Sequence, residues 1–250
     1  MIFMGTWFDV SLSAKADPVW VEFKVGTQTV KALMDQPSGP GPHAAVIYNH
    51  GTAVRKNNYT RAKKRGYDVA DYVKALADAG YVALAPIRSH LSSVDYKTAI
   101  VGGVETVKSA IDYLKSRPNI DPTRIGAVGF SEGGLVTLWS AIEGADLKAI
   151  VLMSPATIKE AGDKKLKAAA RKSFVKRLKM PILLTVGTHD NRSILKVTQE
   201  KLIPNLQANE SPFTYKTDYP GDHKWFWKVR PNHFKDLKDF FIKFLSGPKA

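Results

Sequence analysis

Gly129-Phe130-Ser131-Glu132-Gly133 carries the residue types best suited to covalent chemistry in this chain. A serine hydroxyl is a weak nucleophile until a base stands beside it and donors face the charge that develops on the attacked carbonyl. Placing the hydroxyl there requires a sharp, strained turn with small neighbours, which Gly129 and Gly133 supply. The flanks fit that demand. Ile125-Gly126-Ala127-Val128 reads as a strand entering the turn, and Leu135-Val136-Thr137-Leu138-Trp139 as a helix leaving it. Strand, glycine-framed serine and helix together make a nucleophile elbow.

The elements that must position this serine follow from apolar runs. Residues 7–12, 19–25 and 27–35 read as early strands, and 37–42 as a loop of Pro, Gly and Ser. Continuous apolar runs at 43–48, 81–85, 124–128, 147–153 and 182–187 are expected of strands buried on both faces. Residues 213–219 give the last strand. Helical spacing appears at Val69, Tyr72, Val73 and Leu76, before Gly80 as a C′ residue. It recurs at Val104, Val107, Ile111 and Leu114, and at Phe234, Leu237, Phe241 and Phe244. Gly102-Gly103 inside such a pattern reads as close helix packing. Alternating strands and helices predict a mostly parallel sheet covered on both faces, with the first strands as an antiparallel edge. Ser131 then lies beyond the carboxyl ends of the strands, where such sheets build their sites.

Composition sets the bounds. The 250 residues suit one α/β domain, 1–250, and 44% hydrophobic content suffices for a sizeable core. The lack of cysteine excludes disulfides, thiolate metal sites and a cysteine nucleophile. No run of 18 apolar residues offers a membrane span. Met1–Trp7 has no basic segment and no long apolar one, so the protein is expected to be either cytoplasmic or exported with its signal removed. The six histidines show no metal-ligand spacing and no phosphate-binding loop is present, so neither metal nor cofactor is expected. The net charge of +14 is concentrated: residues 55–65 carry +6 and residues 159–179 carry +7. Such clusters suit anionic substrates or acidic surfaces, or serve as solvated faces.

Ala110-Ile111-Asp112-Tyr113-Leu114, then Asp121-Pro122-Thr123-Arg124-Ile125, then Val128 to Gly134 resemble the helix, turn, strand and elbow of the α/β-hydrolase superfamily. The resemblance covers roughly residues 28–246 and is to its dienelactone-hydrolase-like and prolyl-oligopeptidase-like serine hydrolases. Dienelactone hydrolases themselves use cysteine as nucleophile. Serine at position 131 points instead toward simple esters.

The resemblance implies the order nucleophile, acid, base. Asp190 follows the 182–187 strand and is the expected acid, orienting an imidazole and stabilising its charged form. His223 follows the last strand and is the expected general base. Among its competitors, His43 starts a strand, His90 could line the mouth, and His233 reads as a surface or capping residue of the last helix. His189 is expected to point elsewhere and Asp222 to be a loop residue. An oxyanion hole needs two backbone donors. The amide of Glu132 is one, and the amide of Thr52 the other, since Asn49-His50-Gly51-Thr52 resembles the family's histidine-glycine turn. His50 is expected to buttress that turn, and the Glu132 side chain either to tie it down or to face solvent.

The family's lid position, residues 154–180, has room for one or two helices, with Leu166, Ala170, Phe174 and Leu178 as one stripe. An open site for short acyl chains is therefore expected. Trp225 and Trp227 are expected to wall the pocket, and both basic segments to flank its mouth from loops. The function implied is a serine carboxylesterase acting on a small-molecule ester, anionic if the charge is used. The alternatives are a peptidase, thioesterase or lactonase with the same groups, or a non-catalytic binder of anionic polymers on the same scaffold. No nucleic acid partner is expected, and oligomeric state is not legible.

Overall fold

The structure, a computed structural model, describes residues 17–157 and 166–247. Eight strands form one sheet: β1 (Val19–Val25), β2 (Gln28–Asp35), β3 (His43–Asn49), β4 (Val82–Pro86), β5 (Ile120–Phe130), β6 (Ala149–Met153), β7 (Ile182–His189) and β8 (Phe213–Asp222). Their spatial order is β1-β2-β4-β3-β5-β6-β7-β8. β1 and β2 are antiparallel, β2 runs antiparallel to β4, and every other pairing is parallel. This is the α/β-hydrolase architecture. The proposed strand at 7–12 lies outside the described residues.

Buried alternation explains the layers. β3 sends Ala45 and Ile47 to one face and Ala44, Val46 and Tyr48 to the other. The first face is covered by α3 (Tyr96–Lys115) and α4 (Glu132–Ile142), through residues such as Val107, Ile111, Leu135 and Leu138. α2 (Val69–Asp78) and the C-terminal helix Pro231–Leu245 cover the second, through Tyr72, Leu76, Leu237 and Phe241. Asp68 and Asp95 cap α2 and α3 by accepting from the Ala70 and Thr98 amides. A Cβ at Gly103 would stand 2.7 Å from Val136, so glycine lets α3 and α4 close on each other.

Several expectations are corrected. Residues 55–65 are not a loop: they belong to α1 (Thr52–Lys64), which kinks at Asn58, where φ is 61°. Arg55 within it is completely buried, so it adds nothing to surface charge. The stripe from Leu166 to Leu178 is not one helix. A 3₁₀ turn, Leu166–Ala170, is separated by extended Arg171 from the four-residue α5 (Lys172–Val175). Residues 159–165 lie outside the described residues. The exposed Lys172, Lys176, Arg177 and Lys179 do not flank the mouth. Asn209, just before β8, donates to the carbonyls of Val175 and Leu178, which puts this basic stretch at the amino ends of β7 and β8. Two further helices, α6 (Arg192–Val197) and α7 (Ile203–Gln207), join β7 to β8, with α8 naming Pro231–Leu245.

Candidate active site

The register of the sheet builds the site. Asn49 pairs with Gly129, Phe130 with Met153 and Met153 with Thr185, so β3, β5 and β6 end together, and β7 and β8 run on past them to the paired His189 and Asp222. Ser131 follows β5 with φ 56° and ψ −117°, a left-handed conformation that costs a non-glycine residue about 1–3 kcal/mol. The turn is tight on both sides. A Cβ at Gly129 would lie 2.2 Å from the Gly133 carbonyl oxygen, and one at Gly133 would lie 1.9 Å from the Asn49 carbonyl oxygen.

Asp190 and His223 each stand one residue beyond the paired His189 and Asp222. His223 Nε2 lies 2.8 Å from Ser131 Oγ, and His223 Nδ1 lies 2.8 Å from Asp190 Oδ1. The neutral ring thus donates from Nδ1 to the carboxylate and accepts the serine hydroxyl at Nε2. Asp190 is buried and also accepts from the Asn191 amide and the Ser154 hydroxyl. Ser131 is 9% exposed and the His223 side chain 30%, so this hydrogen-bonded line ends at solvent. Phe130 supports the imidazole at a ring separation of 4.9 Å.

Thr52 and Glu132 are the first residues of α1 and α4, and first-turn amides have no acceptor within their own helix. Gly51 brings the two starts together, since its Cβ position is 3.4 Å from Ser131 Cβ. Two helix N-termini, each carrying partial positive charge, therefore converge beside the hydroxyl. His50 is buried. Its Nε2 accepts from the Arg88 amide and its Nδ1 donates to the Gly51 carbonyl, so it holds the turn as expected. Burial, then the nearby Arg88 charge, lower its pKa well below the ordinary histidine value, which keeps it neutral.

The Glu132 side chain faces inward. Its carboxylate accepts from Arg55 Nε and Nη2 at 2.8 and 2.9 Å, from Thr52 Oγ1 at 2.9 Å, and from Arg88 Nη2 at 3.3 Å. Burial raises its pKa, but the bonds from Arg55 and the charges of both arginines outweigh this and leave it below the ordinary value.

Other expectations fare differently. Trp225 stacks on Tyr219 at 5.5 Å and Trp227 on Tyr67 at 5.4 Å, and both rings are half-buried just after His223. His90 lines a cavity of about 360 Å³ with Trp20, Asn58 and Tyr59, which Ser131, Asp190 and His223 do not line. His233 is fully buried among Tyr219, Trp225 and Phe226, not a surface residue. Its spacing to Leu237 and Phe241 was the available signal. Arg55, Arg88 and Ser154 were not singled out by sequence. Ser154 directly follows β6, Arg88 lies two residues beyond β4, and Arg55 lies one turn into α1. Among the described residues no cluster of His, Asp and Glu could hold a metal, and no helix is long and apolar enough to cross a membrane.

Comparison with known proteins agrees with this architecture. The hydrolase YtaP of Bacillus subtilis is 31% identical over 121 residues, 40% of this chain and 40% of that protein. Pyrococcus horikoshii acylaminoacyl peptidase superposes with a TM-score of 0.74 at 15% identity, covering 96% of this chain and 44% of that one. Pyrococcus furiosus esterase Pf2001 superposes with a TM-score of 0.67 at 18% identity, covering 98% of both chains. This chain thus spans under half the length of the peptidase, and at these identities the structural likenesses are likenesses of fold. The dienelactone hydrolase family matches residues 63–236, a stretch that includes Ser131, Asp190 and His223. The chain has the α/β-hydrolase fold and belongs to the dienelactone hydrolase family.

Proposed function

We propose that this protein is a hydrolase, a serine carboxylesterase acting on short-chain esters. One observation carries the reading: the continuous line Ser131 Oγ, His223, Asp190, with 2.8 Å at each junction. His223 Nε2 takes the proton of Ser131 as Oγ attacks the ester carbonyl. The amides of Thr52 and Glu132 receive the oxyanion, and Asp190 offsets the imidazolium charge. His223 then gives its proton to the departing alcohol, leaving an acyl-serine, and water activated by the same imidazole releases the acid. No step draws on a metal or a cofactor.

The same groups would serve a peptidase, thioesterase or lactonase. The ester reading is favoured by serine in place of the cysteine of dienelactone hydrolases and by the lack of any described helix of length between β6 and β7. Substrate anionicity loses support, because the described part of the second basic segment lies at the opposite end of the sheet.

A series of p-nitrophenyl esters tests this reading. C2–C6 esters are expected to be hydrolysed faster than C12–C16, since a long chain finds little apolar surface, each buried methylene being worth about 0.8 kcal/mol. Ser131→Ala should lower kcat by about 10⁴–10⁶-fold without unfolding the protein. Comparable turnover by folded Ser131→Ala protein would overturn the proposal.

A further inference from the structure

We infer that Glu132 is a positioning residue for the oxyanion hole, its buried carboxylate aiming the Thr52 amide at the point its own amide addresses. The inference rests on the esterase reading above and assigns a duty to three residues outside the triad, namely Glu132, Arg55 and Arg88.

The geometry is a cross-brace. Glu132 is rooted at the start of α4, and its carboxylate accepts from the Thr52 hydroxyl at the start of α1. Arg55, one turn along α1, grips the same carboxylate with two nitrogens and ties its third to the Leu91 carbonyl. Arg88 spans the other end of the turn, donating through Nη2 to the His50 carbonyl at 2.6 Å and to Glu132. Thr52, whose N–H is the second donor, is thus secured to the carboxylate directly, and His50, two residues earlier, through Arg88.

Stability alone does not account for such a cluster. It buries two guanidiniums against one carboxylate, and Arg88 Nε and Nη1 meet no acceptor. Buried ionic groups of this kind are commonly replaceable by apolar ones without loss of folding stability. What apolar side chains cannot provide is a directional hold on the Thr52 hydroxyl. Preorganised donors matter because they need not reorient as charge develops.

The test compares Thr52→Val and Thr52→Ser with wild type on a short-chain p-nitrophenyl ester, with Ser131→Ala as the control and fluorophosphonate labelling as a second readout. Thr52→Val keeps the backbone and nearly the shape while removing the hydroxyl. It should lower kcat about tenfold at unchanged KM in protein that stays folded at the assay temperature, well short of the ~10²–10³-fold cost of deleting a donor. Labelling should slow in parallel, and Thr52→Ser should restore both. In a Glu132→Gln background, Thr52→Val should add no further loss. Should Glu132→Gln fail to fold, the Thr52 pair decides alone. Wild-type kcat in Thr52→Val, or equal impairment of Thr52→Ser, overturns the inference while leaving the esterase reading intact. Retained turnover in Ser131→Ala overturns both.

Discussion

Asp190 accepts three hydrogen bonds, from His223, from the Asn191 amide and from Ser154, so each of its oxygens is committed before substrate arrives. That saturation fixes the carboxylate plane and, through Nδ1, the imidazole plane. Ser154 is itself held at φ 44°, an unfavourable conformation for any side chain with a Cβ. Ser154→Ala keeps that backbone strain and deletes only the hydroxyl. It should cost about 1.5–3 kcal/mol of stability, the usual worth of a hydrogen bond to a charged group. It should also lower kcat several-fold at constant KM, as the imidazole gains freedom. Urea unfolding and ester kinetics on the same preparation would check both. An unchanged unfolding midpoint would mean that water replaces the hydroxyl.

Among the elements, the α4 start is the most constrained. Gly133→Ala would drive a methyl group into the Asn49 and His50 carbonyls, at 1.9 and 2.7 Å. The clash is with backbone, which cannot rotate away, so the loss should reach or exceed the ~1–3 kcal/mol typical of overpacking. A urea midpoint equal to wild type would contradict this. The elbow and the mostly parallel sheet with its antiparallel edge were legible because buried strands and glycine-framed turns leave strong local signals, as at residues 43–48 and 129–133. α1 was not legible, for a physical reason. It buries Arg55 rather than an apolar stripe, starts at Gly51 without a side-chain cap, and kinks at Asn58, so hydrophobic periodicity says nothing of it. Likewise the stacking of Trp227 on Tyr67 joins residues far apart in the chain and leaves no local signal.

For the whole molecule, the buried histidines set the response to acid. His233 sits in an aromatic enclosure, and burial lowers its pKa to about 3 from the ordinary value of 6.5. The unfolded chain therefore takes up a proton below pH 6.5 that the folded protein refuses until about pH 3. Bound protons favour the unfolded state across this window, so stability falls as pH falls, by about 1.4 kcal/mol per pH unit from this group. His50, also lowered, acts in the same direction. His233→Phe should flatten the acid limb of stability against pH, measured by urea unfolding between pH 4 and 7. An unaltered slope would exclude His233 as a contributor. The exposed charge of residues 172–179 should be catalytically silent. Replacing Lys172, Lys176 and Lys179 by glutamine is expected to leave kcat/KM on an anionic ester unchanged even at low salt, where the Debye length of about 30 Å at 0.01 M would expose any steering. A several-fold fall would show that these charges reach the site.

The contact of Gly133 with the Asn49 and His50 carbonyls also bears on the timing of encounter. The serine turn and the oxyanion turn press on each other without intervening side chains, so neither can hinge open while the other stays put. The reactive pocket thus waits fully assembled, and capture of an acylating inhibitor should be a single event. Its observed rate should climb linearly with inhibitor concentration up to saturation of simple binding, with no lag and no slow conformational phase in stopped-flow traces.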